Sequence, residues 1–148
     1  MSLSMTHGPR LLLVDDDDND LTLFKAAAAK ACLPMRLEGV NNGQQAIEYL
    51  EQVDTTALAP DAIILDLHMP LKSGLEFLAW RKSSRFASVP VVVLTGLEDL
   101  NERQRAVACG ANLVLEKPLK FEELVELVRS IGSTFEFENE THRHALRH

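Results

Sequence analysis

Leu11-Leu12-Leu13-Val14-Asp15-Asp16 runs through four apolar residues and stops on two carboxylates. The pattern returns three times: Ile63-Ile64-Leu65 ends on Asp66, Val91-Val92-Val93-Leu94 ends on Thr95, and Leu113-Val114-Leu115-Glu116 ends on Lys117. Uninterrupted apolar runs of this length fit strands covered on both faces, as in a parallel sheet. In such sheets ligands bind outside the carboxyl ends of the strands. Three carboxylates, a hydroxyl and an ammonium are therefore expected at one edge.

Between these runs the periodicity changes from strand to helix. Leu21, Phe24, Ala27, Ala28 and Ala31 recur at helical spacing after Asp20, which reads as the cap, and before Pro34. Arg36 to Val40 forms a short strand. Asn41-Asn42-Gly43 then turns the chain into a helix bearing Ala46, Ile47 and Leu50 on one side. Gln52 to Pro60 is a loop. Gly74 to Arg81 places Leu75, Leu78 and Ala79 on a third helix, and Pro90 opens the fourth strand, where a missing donor is tolerated. A fourth helix spans about Leu100 to Ala108. The fifth, Phe121 to Ile131, follows the i, i+3, i+4, i+7 rule with Leu124, Leu127, Val128 and Ile131. Strand and helix alternate five times, so the expected fold class is α/β with a doubly wound parallel sheet.

The 148 residues suffice for one domain. The expected division is a leader over 1–9, partly cloning-derived, a domain over 10–131, and a polar tail over 132–148 that lacks an apolar period and is expected to fray. Fifteen basic against 22 acidic residues give a net charge of −7, which disfavours nucleic acid as a partner. No stretch has the length and apolarity of a membrane span. Cys32 and Cys109 lack CxxC spacing, and two reduced, buried thiols in a cytoplasmic protein are expected. His142, His144 and His148 read as solvated tail histidines rather than metal ligands, and Arg103 and Arg105 as a solvated helix face.

Adjacent acids at Asp15 and Asp16 repel unless a hard divalent cation offsets them, and Mg²⁺ is the expected ion. Asp66 joins that cluster, whereas Asp17, Asp18 and Asp20 read as a solvated capping loop. Asp66, exposed at a strand end, can attack phosphorus. Lys117 can pair with Asp66 and later with a phosphoryl oxygen, and Thr95 offers a hydroxyl to another. Three carboxylates and one ammonium sum to −2, a charge that one Mg²⁺ cancels.

The ordered set VDD at 14–16, LDLHMP at 65–70 followed by Gly74, LTG at 94–96 and KP at 117–118 resembles the receiver domain of two-component response regulators, over roughly Arg10 to Ile131. The resemblance implies a flavodoxin-like fold with strand order 2-1-3-4-5. It implies that Asp66 accepts a phosphoryl group from a sensor histidine kinase or phosphotransfer protein, in a Mg²⁺-dependent phosphorelay. Asp16, Asp66 and the backbone carbonyl of His68 would ligate the metal, with Asp15 acting mainly through metal-bound water. Thr95 and Lys117 would bind phosphoryl oxygens. The chain would catalyse only its own phosphorylation and dephosphorylation. Its output would be protein-protein interaction, including a homodimer, through the fourth helix, fifth strand and fifth helix. The LKSG and KPLKFEEL stretches look like those of stand-alone regulators paired with phytochrome-type kinases. One departure is Val114, which occupies a position where the family often has an aromatic ring. His68 and Leu97 stand where side chains admit or exclude the attacking water. A phosphohydrolase of the haloacid dehalogenase type uses similar groups, but it normally needs an acid two residues after its nucleophile, and here that residue is His68.

Overall fold

The computed structural model describes residues 8–53, 59–67, 73–96 and 100–146, with side chains as far as residue 133. His68, Pro70, Leu97 and most of the loop expected before Pro60 lie outside the described residues. The chain alternates β1 (Arg10–Val14), α1 (Asp18–Lys30), β2 (Arg36–Val40), α2 (Gly43–Glu51), β3 (Ala62–Asp66), α3 (Gly74–Lys82), β4 (Val91–Thr95), α4 (Leu100–Ala108), β5 (Leu113–Glu116) and α5 (Phe121–Leu146). All strand pairs are parallel, and their order is β2-β1-β3-β4-β5. Both the doubly wound sheet and the expected order are present.

Successive side chains of a strand point to opposite faces, so each central strand feeds two cores. Leu11, Leu13, Ile64, Val92 and Leu94 meet Leu21, Phe24 and Ala27 of α1 and Val125, Val128 and Ile131 of α5. Leu12, Val14, Ile63, Leu65, Val91 and Val93 meet Ala46, Ile47 and Leu50 of α2, Phe77 and Leu78 of α3, and Ala106 of α4. β3 and β4 are buried along their whole length. β5 is not: Leu113 and Glu116 are exposed and the two residues between are half-buried. A run of apolar residues therefore marks an edge strand here, because only one neighbour and part of one helix layer cover it.

Local signals explain the helix ends. Asp17, not Asp20, caps α1, its side chain accepting from the N–H of Asn19. Asn42 caps α2 by accepting from the N–H of Gln45. Ser73 and Glu76 form a reciprocal capping box on α3. The inward face of α3 is Gly74, Phe77, Leu78 and Arg81, a clean i, i+3, i+4, i+7 stripe, whereas the expected Ala79 is exposed. Arg81 can be buried because four of its guanidinium N–H groups find acceptors. Nε and Nη2 donate to the Val89 carbonyl at 2.9 and 2.7 Å, Nη1 donates to the Gly110 carbonyl at 3.3 Å, and Nη2 also reaches Asn112 Oδ1 at 3.2 Å. It thereby ties together the chain entering β4 and β5 at the sheet edge opposite the acids.

Two expectations are corrected. Cys32 is exposed and Cys109 half-buried, both free. Cys32 follows α1 in a left-handed conformation, φ 57°, beyond the helix's buried stripe. The chain after Ile131 continues as helix to Leu146 rather than fraying. Gly132 does not break α5, because that position is buried and a Cβ there would come within 2.4 Å of Met35 Cε and 2.9 Å of Leu33 Cδ1.

Gly74 seats the first turn of α3 against the end of β3: a Cβ would lie 2.8 Å from Leu67 Cα and 3.0 Å from the Asp66 carbonyl oxygen. These are backbone atoms that cannot rotate away. Gly74→Ala is expected to cost about 1–3 kcal/mol by overpacking, measured as a lower denaturation midpoint at unchanged slope.

Candidate functional site

Parallel registration carries each polar group to the same edge. Val14 pairs with Leu65 and Asp66 with Leu94, so Asp15, Asp66 and Thr95 leave neighbouring strands side by side. The ladders extend one step past the strands: the Asp15 N–H donates to the Val40 carbonyl at 3.0 Å, and the Lys117 N–H to the Thr95 carbonyl at 2.8 Å. Thus the backbone is fixed where the side chains must be placed.

Asp15, Asp16 and Asp66 each offer a carboxylate oxygen, and these atoms lie within 4.8 Å of one another. Asp16 is exposed, Asp15 half-buried and Asp66 buried. Hard oxygen donors of this number and charge suit Mg²⁺, which takes one or two carboxylates and keeps waters for the rest. Asp15 uses both oxygens already. Oδ1 accepts from the Asp17 N–H at 2.9 Å, while Oδ2 faces Lys117 Nζ at 3.4 Å.

Lys117 reaches the cluster from the end of β5. Its Nζ lies 2.7 Å from Asp20 Oδ2, 3.4 Å from Asp15 Oδ2 and 3.5 Å from Asp66 Oδ2. The expected Lys117–Asp66 approach is present, but the shortest contact goes to Asp20. Asp20 is thus a member of the site and not a solvated capping residue. It sits in the first turn of α1 in line with Phe24 and Ala27, both buried. An acid on the inward stripe of a helix, at i, i+4, i+7 with core residues, was the available signal.

Asn41 is a second residue that sequence reasoning missed. Its Nδ2 donates to Asp18 Oδ1 at 2.7 Å and to the Asp15 carbonyl at 3.3 Å, bracing the acidic loop from the end of β2. Thr95 is 1% exposed and, among the described residues, its Oγ1 has no hydrogen-bond partner. A buried hydroxyl left without a partner beside the acid cluster is suited to an incoming anionic oxygen.

Burial raises Asp15 from the ordinary 3.8 to about 6. The Asp17 N–H and the Lys117 charge oppose that rise, and the Asp66 and Asp20 charges add to it. For Lys117, burial disfavours the ammonium, but the hydrogen bond to Asp20 and the charges of Asp66, Asp15 and Asp20 prevail and hold it above the ordinary lysine value. The ammonium is therefore permanent at neutral pH, and Asp15 titrates closer to neutrality than an ordinary aspartate.

With this geometry in place, comparison with known proteins is decisive about class. The family model of the response regulator receiver domain matches residues 11–129. The chain belongs to that family. It is 32% identical over 123 residues to the probable methanogenesis regulatory protein FilR2 of Methanothrix harundinacea, covering 82% of this chain and 79% of that one. It is 29% identical to RpaA of Synechocystis, a DNA-binding dual master transcriptional regulator, covering 83% of this chain but 48% of that protein. The chain spans about half the length of several such relatives. Among solved structures, it is similar to the phosphorylated cyanobacterial phytochrome response regulator RcpA, with a TM-score of 0.73 and 31% identity over 84% of this chain and 91% of that one. It is similar also to the Mn²⁺-bound response regulator Rcp1, with a TM-score of 0.73 and 27% identity over 86% and 94%.

The sign of the pH dependence follows from Asp15. Because its folded value exceeds its unfolded one, this group stabilises the metal-free protein fully below pH 4, and that contribution is lost as pH rises through about 6. A divalent cation replaces the proton. The stabilisation conferred by Mg²⁺ is therefore expected to shrink between pH 7 and 5, and Asp15→Asn should flatten that trend. Thermal melts across this range, with and without Mg²⁺, provide the check.

Proposed function

We infer that this chain works as a phosphorylation-controlled signalling switch in which Asp66 is the phosphoacceptor. The carrying observation is the position of Asp66: a buried carboxylate at the end of a central strand, with a carboxylate oxygen within 4.8 Å of those of Asp15 and Asp16 and 3.5 Å from the Lys117 ammonium. An Asp66 oxygen attacks the phosphorus of a phosphohistidine on a histidine kinase or phosphotransfer protein. The new P–O bond forms as the P–N bond breaks, and the imidazole nitrogen leaves with the electron pair.

Lys117 and the Thr95 hydroxyl are placed to hold oxygens of the transferred group. Their roles are electrostatic and need no proton transfer. Asp16 and Asp66 would hold Mg²⁺ together with the His68 carbonyl, and Asp15, whose oxygens are already engaged, would act through metal-bound water. When bound, Mg²⁺ neutralises charge between the carboxylates and the transferring phosphoryl group. The Mn²⁺-bound form of Rcp1 supports a divalent ion at such a site.

Output is assigned to protein-protein contact. Leu100 and Val107 of α4 and Leu113 of edge strand β5 are exposed apolar side chains, which favours a partner or second copy on the α4-β5-α5 face. Val114 is half-buried against the core beneath that face, so any switching there proceeds without an aromatic ring. No helix among the described residues is long and apolar enough to cross a membrane, in keeping with the proposed cytoplasmic location. In this reading the chain catalyses only its own phosphorylation and dephosphorylation.

Incubation with Mg²⁺ and acetyl phosphate, followed by intact mass, tests the reading. A single phosphoryl adduct is expected, with acetate released. Asp66→Asn is expected to abolish it while leaving the thermal midpoint equal or higher, since a charge repulsion is removed. Uptake at the wild-type rate by this variant would refute the assignment.

Asp16→Ala probes the metal independently of phosphorylation. At Mg²⁺ one hundred times its dissociation constant the wild type gains about 2.7 kcal/mol by mass action, and the variant is expected to lose most of it. Equal Mg²⁺-induced melting shifts in the two proteins would remove Asp16 from the ligand set.

A further inference from the structure

Lys117 has three carboxylates within reach, and its choice among them is informative. The contact to Asp20 is 0.7 Å shorter than that to Asp15 and 0.8 Å shorter than that to Asp66. Asp20 is also the most exposed of the three, with its side chain 32% exposed against 14% for Asp15 and 11% for Asp66. The Lys117–Asp20 pair is only partly buried, so the ammonium is held but can be surrendered to another oxygen. Asp20 itself cannot drift far, because it stands in the first turn of α1, whose next residues Leu21 and Phe24 are packed into the core.

Charge gives the arrangement a consequence. With Asp20 counted, four carboxylates and one ammonium leave the site at −3, so even with a divalent cation in place it remains anionic toward an arriving phosphoryl group. Without Asp20 to draw it outward, the ammonium, already 3.4 Å from Asp15 and 3.5 Å from Asp66, would settle more closely on these two carboxylates, one a proposed ligand of the cation and the other a partner of its water.

We propose that Asp20 is a positioning residue for Lys117: it draws the ammonium outward from closer pairing with Asp15 and Asp66, which lowers the competition the cation meets there, and it competes with the phosphoryl oxygens for that ammonium. The second half of the statement rests on Asp66 being the phosphoacceptor; the first does not.

The test uses the full chain with Asp20→Asn and Asp20→Glu, measuring Mg²⁺ binding by calorimetry and phosphoryl uptake from acetyl phosphate at saturating Mg²⁺. Asp20→Asn removes a charge and lets Lys117 fall onto the metal-facing carboxylates, so Mg²⁺ affinity is expected to weaken roughly threefold to tenfold. Uptake at saturating Mg²⁺ is expected to rise about twofold or more, because the cation then engages the carboxylates and the ammonium has no Asp20 to leave before it meets the phosphoryl oxygens. Asp20→Glu, which keeps the charge, is expected to restore both. A merely structural residue would not move these two readouts in opposite directions. The Lys117→Met background isolates the positioning effect: there, Asp20→Asn should alter Mg²⁺ affinity far less. An equal loss in both backgrounds would show that Asp20 acts by its charge alone, and unchanged affinity in the wild-type background would likewise overturn the proposal. Absence of uptake by the wild type would instead overturn the phosphoacceptor reading and the competition with it, leaving the Mg²⁺ measurements to decide whether Asp20 positions Lys117.

Discussion

One ammonium, Lys117 Nζ, is shared by carboxylates that are 102, 97 and 51 residues away in the chain. No local preference can bring these groups together. Their meeting depends on β1, β3, β4 and β5 lying parallel and in register, so that each strand ends at the same edge. The ammonium in turn makes the meeting tolerable, since four acids at one end of a sheet would otherwise repel. The site is therefore both a product of the fold and a strain upon it, partly relieved by one lysine and suited to further relief by a cation.

The two ends of the sheet are built on opposite principles. At the amino edge, the buried Arg81 is held by the Val89 and Gly110 carbonyls and Asn112, and among the described residues it forms no ion pair. Burial pulls its guanidinium below the ordinary value. At the carboxyl edge, charges are shared loosely, Asp15 is raised to about 6, and the Thr95 hydroxyl is buried without a partner among the described residues. Satisfied polar groups fix a structure, whereas under-satisfied ones are free to respond to a ligand. The placement of each kind separates the rigid base of the domain from its reactive rim.

The exposed apolar side chains follow the same geography. β5 is an edge strand, and the helix before it buries only Ala106. A face held by so few core contacts can move at low cost, and it adjoins Thr95 and Lys117 directly through the β4–β5 ladder. This is a physical route by which charge at the rim can alter a surface on the flank.

The sequence alone determined the sheet and its five strands; the apolar runs of β1, β3 and β4 record burial on both faces, and each run ends at or beside a polar group that the structure brings to one edge. The stripes of α1 and α2 were legible because helical spacing records burial on one side; in α5 Val128 and Ile131 were legible too, but Val125 is buried where Leu124 and Leu127 are half-buried, a shift the sequence did not determine. It did not determine the stripe of α3, where Arg81 takes a core position that only the Val89 and Gly110 carbonyls make habitable. Nor did it determine the exposure of β5, since an edge strand can be as apolar as a central one. The partner of Lys117 lay furthest from its reach. Asp20 belongs to a run of acids that composition cannot tell apart, and only the direction of α1 against the sheet decides that Asp17 caps the helix while Asp20 faces the ammonium.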